Sequence, residues 1–333
     1  ALSFGMSSAA LIAGNTIVYK PASDAPWTGL LVWDIYREAG VPAGVFNFFT
    51  GRGRDLGDSL TGHPGLDGVV FTGSKTVGMQ IFHSLSRDYV KPCLMELGGK
   101  NPAIVMDTAD LDAAAEGVAK SAWGLQNQKC SACSRVYVHE AVLEPFLERL
   151  IARTGDITIG DPADEGVYFG PVINAASVKT YLAVVERARA EGQILIGGGR
   201  ITDEDLQYGH FVAPTIVRAP LDSSLFAEEF FVPFLAVGVV SSLDEALAEA
   251  NDCEYGLTAG IFSGKPEEVA RFFDEIEAGV TYANKRSGAT TGAWPGAQAF
   301  CGWKGSGGSG KGGCGPYYVA QFMREQCRTL IQE

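Results

Sequence analysis

Gly14-Asn15-Thr16-Ile17-Val18-Tyr19-Lys20-Pro21-Ala22 places a β-branched, aromatic strand directly behind a Gly-Asn turn. A helix follows, from Asp24 to Ala39, with Asp24 near its start, Pro26 in its first turn and Gly40 past its end. Val45 to Phe49 reads as a second strand, and Gly51-Arg52-Gly53 opens a short helix. Gly68-Val69-Val70-Phe71 reads as a third strand, and Ser74 can cap the helix that runs to about Leu85. Cys93-Leu94-Met95-Glu96-Leu97 is a fourth strand, ended by Gly98-Gly99. Strand-helix alternation of this kind argues a parallel, doubly wound α/β sheet.

Outward from this stretch the pattern repeats. The N-terminal side begins Ala1-Leu2-Ser3-Phe4-Gly5-Met6 and runs into an apolar, helix-like segment from Ala9 to Ala13, so the reading is of a chain that starts mid-domain. From about Lys100 a second α/β unit is expected. Its helices are Leu111 to Gly124, Ala141 to Thr154, Val178 to Glu191, Ser242 to Asn251 and Pro266 to Ala278. Its strands are Arg135 to His139 and segments near Gly238 and Ala259. Residues 301–315 are rich in Gly and Ser, and Arg328-Thr329-Leu330-Ile331 reads as an edge strand.

Composition narrows the classes. The chain has 333 residues, 46% hydrophobic and 20% charged, enough for large buried cores and roughly two domains. A formal net charge of -13 argues against general attraction to nucleic acid or anionic membranes. No apolar run reaches transmembrane length, and no basic region precedes an apolar one at the start. The seven cysteines match no small disulfide framework. Cys130 and Cys133 form a CxxC without a second pair at zinc spacing, so no metal is expected and reduced thiols in a cytoplasm-like compartment are the default.

Two segments carry candidate chemistry. In Gln128-Lys129-Cys130-Ser131-Ala132-Cys133-Ser134-Arg135, Cys130 sits in a polar, small-residue loop before a strand. A catalytic thiol needs positive potential, backbone donors and partial exposure. The plain alternative is a small packing residue. In Met95-Glu96-Leu97-Gly98-Gly99-Lys100-Asn101-Pro102, Glu96 closes an apolar strand, where burial would raise its pKa and suit it to general-base work. The plain alternative is a strand-end carboxylate facing solvent or pairing with Lys100.

Taken together, these two segments at this spacing resemble the aldehyde dehydrogenase superfamily. Further motifs agree in order: the strand ending Lys20-Pro21-Ala22, then Phe71-Thr72-Gly73-Ser74 with Gly78, then Glu228-Glu229-Phe230-Phe231-Val232-Pro233, and finally Phe300-Cys301-Gly302-Trp303 with Ser306-Gly307. The resemblance implies an α/β fold of two doubly wound parallel-sheet domains with a small oligomerisation strand element. Residues 1–99 would be the C-terminal part of the NAD(P)-binding domain and 100–300 the catalytic domain. Residues 301–333 would form the substrate-side loop, return helix and oligomerisation strand. It also implies that an oxyanion-binding Asn lies upstream of Ala1.

The roles implied are these. Cys130 is the nucleophile and Glu96 the general base. Lys20 binds the adenosine ribose. Ser23 stands where many NAD-preferring members place Glu, which would ease entry of a 2′-phosphate, although the adjacent Asp24 could reverse that. Gly51, Gly53 and Gly57 pass the adenine side. Phe71, Gly73 and Ser74 form the pyrophosphate turn at a helix N-terminus. Leu97, Glu229 and Phe231 lie on the nicotinamide side, and Val232 replaces the usual Gly of that loop. The cofactor would be NAD or NADP.

Lys285-Arg286-Ser287-Gly288-Ala289-Thr290-Thr291-Gly292-Ala293, with Gln298-Ala299-Phe300, resembles the glutamate γ-semialdehyde (Δ1-pyrroline-5-carboxylate) dehydrogenases. There Ser131 and the N–H groups of Gly292 and Ala293 would hold the substrate's α-carboxylate, and Phe300 would pack its methylenes. Gly292-Ala293 could instead be a tight turn, and Ala299 and Cys301 depart from the usual Pro and Gly. The expectation is oxidation of glutamate γ-semialdehyde to glutamate. A different semialdehyde or aliphatic aldehyde, or an inactive truncated or structural homologue, remains as the alternative. A homodimer or higher homo-oligomer is expected, cytoplasmic or, in a eukaryote, in the mitochondrial matrix.

Overall fold

The computed structural model describes residues 2–87, 89–288, 298–308 and 311–332. The chain divides into two compact units. The first comprises Ala1–Glu96, Ala293–Cys301 and Gly308–Glu333, and the second Leu97–Gly292 and Gly302–Gly307. The closing segment is divided between the two, with Gly302–Gly307 in the second and Gly308–Glu333 in the first.

In the first unit α1 (Leu2–Ile12), β1 (Ile17–Tyr19), α2 (Pro26–Glu38), β2 (Phe46–Phe48), α3 (Gly53–Thr61), β3 (Val69–Thr72), α4 (Lys75–Leu85) and β4 (Cys93–Glu96) follow in order. From β1 to β4 each falls where the alternation of the sequence puts it, whereas α1 begins at Leu2, seven residues before the apolar stretch read at Ala9 to Ala13. Helix α2 starts on Pro26, whose missing N–H costs nothing in a first turn. The Ser74 hydroxyl caps α4 by accepting from Val77 N at 3.4 Å. The strands pair in parallel two by two, β1 with β2 and β3 with β4, and among the described residues no ladder joins the pairs. The doubly wound sheet expected here is thus realised as two short parallel pairs, since strands of three or four residues offer few ladder positions. Tyr318 returns from the C-terminal segment to pack with Ala9 of α1 and Leu94 of β4.

The second unit holds β5 (Asn101–Val105), α5 (Leu111–Trp123), β6 (Cys133–His139), α6 (Leu143–Gly155), α7 (Ala175–Glu191), β7 (Gln193–Ile196), β8 (Thr215–Arg218), β9 (Phe234–Val240), α8 (Leu243–Asn251), β10 (Tyr255–Gly256), β11 (Thr258–Phe262), α9 (Pro266–Glu275), β12 (Val280–Ala283) and β13 (Trp303–Lys304). Seven strands form one sheet in the order β12-β11-β5-β6-β9-β8-β7, parallel except for β7 against β8. Strands β10 and β13 make a separate antiparallel pair.

Alternate residues of the central strands feed opposite faces. Ala103 and Val105 of β5 pack beneath α5 and α6 with Trp123, Phe146 and Leu150. Ile104 points the other way, toward the layer that holds Tyr181, Leu247 and Phe272 of α7, α8 and α9. Helices on both faces are what a buried parallel sheet requires.

The sequence reading passes over β5, and the reason is Pro102. A proline inside a run argues against a central strand. Here it sits where the register slips between Asn101 and Pro102, so the missing N–H falls at an irregularity of the ladder. The short strands β7, β8 and β12 were also not individually read. Arg328–Ile331, expected as an edge strand, carries no strand among the described residues. Leu330 and Ile331 are 82% and 84% exposed. A strand exists only through a ladder partner, and this stretch has none among the described residues.

Candidate active site

Cys130 lies in the loop that carries the chain from α5 to β6. Leu125, Gln126 and Asn127 all take left-handed backbone, with φ of 53°, 57° and 59°. Such a run of non-glycine residues is sterically costly and survives only where its surroundings hold it. Asn127 supplies part of that hold by donating Nδ2 to Ala122 O at 3.0 Å and to Cys133 O at 2.9 Å.

Asn101 supplies more. Its Nδ2 donates to Cys130 O at 2.7 Å and Ala132 O at 2.8 Å, and its Oδ1 accepts from Thr258 N at 2.9 Å. The Thr258 hydroxyl donates to Ser131 O at 3.2 Å. Three successive carbonyls of the cysteine loop are thereby fixed to β5 and β11.

The two thiols of the CxxC differ. Cys130 is half-buried, whereas Cys133 is fully buried and its thiol is pushed up to about 12 by burial. The Lys129 ammonium is lowered by burial and raised in turn by its interaction with Cys130. A cationic neighbour is what a reactive thiol requires.

Beside this loop, Gly99 N donates to Glu229 Oε1 at 2.9 Å. A Cβ at Gly98 would collide with the same carboxylate, so the chain must be bare there for Glu229 to sit as it does. Burial raises Glu229, and the Gly99 N–H and Lys100 oppose that. Phe231 is turned outward, 45% exposed, on a left-handed φ of 57°. Val232 stands where glycine was expected, yet the left-handed conformation falls on Phe231, and Val232 is buried at 2% exposure. A cavity of about 10 Å³ is lined by Gly99, Asn127, Ser134, Glu229 and Phe230, room for roughly one water. Among the described residues the buried Ser134 hydroxyl has no hydrogen-bond partner.

In the first unit Glu96 ends β4. Burial raises its carboxyl to about 7, against a lowering hydrogen bond from the main chain of Gly313. Among the described residues its buried Oε2 has no hydrogen-bond partner. Phe300 N donates to Gly313 O at 2.7 Å, so Gly313 links Phe300 to Glu96. Burial and then the charge of Glu96 raise the Cys301 thiol and the Tyr318 hydroxyl. In the same unit, just after β1, Lys20 Nζ donates to Pro21 O at 2.8 Å and Gly51 O at 3.3 Å. Ser23 and Ser74 are exposed, and Phe71 and Gly73 lead into α4.

The sequence matches the aldehyde dehydrogenase family over residues 1–327. The chain belongs to that family. It is 38% identical to the 1-pyrroline-5-carboxylate dehydrogenase of Bacillus cytotoxicus over 330 residues, 97% of this chain and 62% of that protein. Among solved structures it is similar to the 1-pyrroline-5-carboxylate dehydrogenase from Thermus with bound NAD. The TM-score is 0.90 at 40% identity, covering 96% of this chain and 61% of that one. The 3,6-anhydro-L-galactose dehydrogenase in complex with NAP superposes with a TM-score of 0.91 at 34% identity, covering 96% and 66%. The chain thus has the aldehyde dehydrogenase fold and spans about 62% of the length of the curated relatives it matches.

Within this aldehyde dehydrogenase chain the expected site residues group by unit. Glu96, Phe300 and the cofactor-side residues Lys20, Ser23, Gly51, Gly53, Gly57, Phe71, Gly73 and Ser74 belong to the first. Cys130, Ser131, Leu97, Glu229 and Phe231 belong to the second. Gly292 and Ala293 lie outside the described residues. Asn101, Thr258 and Lys100, beside the Cys130 and Glu229 loops of the second unit, and Gly313, beside Glu96 in the first, were not among the expected residues. Asn101 and Lys100 stood in the quoted Glu96 motif, and their polarity beside a strand was the available signal. Thr258 and Gly313 carried none, because Thr258 reaches Ser131, and Gly313 reaches Glu96, only through the fold of its own unit. Among the described residues no helix is long and apolar enough to cross a membrane.

Proposed function

We propose that this protein oxidises glutamate γ-semialdehyde, the open form of Δ1-pyrroline-5-carboxylate, to glutamate with NAD or NADP. The observation that carries the reading is the Cys130 loop, with its carbonyls tied to Asn101 and Thr258 and with Lys129 beside the thiol. Holding the nucleophile in one place is what converts a weak thiol into an efficient one. The names of the relatives support the substrate.

The residues present fit a dinucleotide. The α4 N-terminus with Gly73 and Ser74 suits a pyrophosphate, because free N–H groups and the helix dipole favour an anion there. Lys20, Ser23 and the Gly51, Gly53 and Gly57 segment would flank the adenosine, and Leu97, Glu229 and Phe231 the nicotinamide. When bound, the nicotinamide accepts a hydride. The Cys130 thiolate adds to the aldehyde carbon, its own N–H stabilises the developing oxyanion, and loss of hydride leaves a thioester. Glu96, raised to about 7 by burial, takes a proton from the water that hydrolyses it, releasing the acid and the free thiol. Ser131, Gly292, Ala293 and Phe300 would select the amino-acid end of the substrate. We place the protein in a reducing, cytoplasm-like compartment, in keeping with its free thiols. We expect a homo-oligomer in which Leu330 and Ile331 find cover.

The test is NAD(P)H formation with Δ1-pyrroline-5-carboxylate against hexanal and succinic semialdehyde, for the wild type and Cys130→Ala. Strong preference for the pyrroline substrate, abolished in the variant, is expected. Turnover of the other aldehydes alone would overturn the substrate, and an active Cys130→Ala would overturn the mechanism.

A further inference from the structure

Lys100 has no part in the reaction above, yet it is an expensive side chain to keep. It is 1% exposed, and among the described residues its Nζ has no hydrogen-bond partner. A buried ammonium without an acceptor opposes folding, and an apolar residue of the same length would pack there at lower cost. Charge at this position therefore needs a reason outside stability.

The surroundings supply one. The ammonium lies 4.3 Å from the centroid of the Phe230 ring, a cation–π contact strengthened by exclusion of water. The Arg187 guanidinium approaches the same ring at 5.4 Å and grips Glu228 through two hydrogen bonds of 2.8 and 3.2 Å. Phe230 is thus the seated residue of the loop. Glu229 and Phe231 flank it, one drawn inward to Gly99 N and the other thrown outward on left-handed backbone.

The groups that act on Lys100 are Arg135 of β6, the Cys253 thiol beyond α8, and Glu229 and Glu228 of the loop itself. Burial and Arg135 push the ammonium down to about 7, while the thiol and the two glutamates favour its charge. Reciprocally, Lys100 favours the ionised form of Glu229.

We propose that Lys100 is a positioning residue for the cofactor: its ammonium seats Phe230 and presents a positive charge to Glu229, fixing the carboxylate that binds the nicotinamide ribose. The proposal rests on the reading of Glu229 as a cofactor ligand. It predicts a residue that weakens the fold and strengthens binding.

The test is fluorescence titration of the intact protein with NADH and NADPH, together with thermal unfolding, for the wild type, K100M, E229Q and the double variant. K100M is expected to unfold at a higher temperature while binding the reduced cofactor roughly tenfold more weakly. That loss should vanish in the E229Q background, which a general packing defect would not do. The loss of affinity on acidification should also begin at higher pH in K100M, because Glu229 no longer has the cation that lowers its pKa. Wild-type affinity in K100M beside a weakened E229Q overturns the proposal alone. Wild-type affinity in E229Q overturns the cofactor reading, and the proposal with it. A K100M that fails to fold, or that loses as much affinity in the E229Q background, makes Lys100 a residue of the fold and overturns the proposal.

Discussion

The side-chain amide of Asn101 holds the main chain at Cys130: its Nδ2 lies 2.7 Å from the Cys130 carbonyl and 2.8 Å from that of Ala132. One residue at the start of β5 thereby sets the height of the thiol above the sheet.

Asn101→Ala removes both donors and the acceptor used by Thr258 N, leaving buried polar groups unpaired. The expected cost is about 2–3 kcal/mol of unfolding free energy, read by denaturant titration. Alkylation of Cys130 by iodoacetamide should slow as the loop loosens. Unchanged stability would show that the loop is held by other contacts.

Glu96 gives a pH signature. Its carboxyl is raised from 4.5 to about 7, so the folded state holds its proton more tightly than the unfolded state. Its contribution to stability is fully present below about pH 4.5 and is lost as pH rises through about 7. Glu96→Gln should flatten that fall in thermal melts taken across this window. In the proposed reaction thioester hydrolysis should rise as pH passes about 7 and stay slow at every pH in Glu96→Gln, measured by single-turnover release of acid.

Leu125 is 64% exposed on a left-handed φ of 53°, so its side chain contributes little packing to set against its strain. Leu125→Gly should raise stability by about 1 kcal/mol, the cost of a side chain in that conformation less the entropy of glycine. A fall in stability would mean that the side chain packs more than its exposure indicates. Faster hydrogen exchange over 125–130 should accompany the change.

Gly98 is where a Cβ meets the Glu229 carboxylate. Gly98→Ala must displace that carboxylate from the Gly99 N–H. NADH affinity should fall by roughly tenfold and the melting temperature should fall with it, since an internal hydrogen bond to a charged group contributes about 1.5–3 kcal/mol to stability. Retained affinity would remove Glu229 from the cofactor site.

The alternation of strand and helix was legible because period and punctuation are local properties. Pro26, Ser74, Gly40 and the Gly98-Gly99 pair mark ends without reference to anything distant. Cys130, Glu96 and Glu229 were legible for another reason. Reactive or charged residues amid small and apolar ones are conspicuous in a string, and their ordered motifs carry the family. Strand β5 was hidden, because its proline obeys a rule whose exception lies in the ladder of a neighbouring strand. Nor did the sequence, in which Val232 replaces the usual Gly of its loop, show that the left-handed backbone falls on Phe231.

The sequence by itself therefore determined the element order, the α/β class and the candidates proposed as nucleophile and base, Cys130 and Glu96, since each depends on neighbours within a few positions. Only the tertiary structure decided what holds them. Asn101 reaches across from β5 to the Cys130 loop, Thr258 secures Ser131 from β11, Gly313 returns to Glu96, and Lys100 is buried against Phe230. Those relations join residues remote along the chain. Hydrogen bonds and burial act through space, so they arise only once the sheet has assembled.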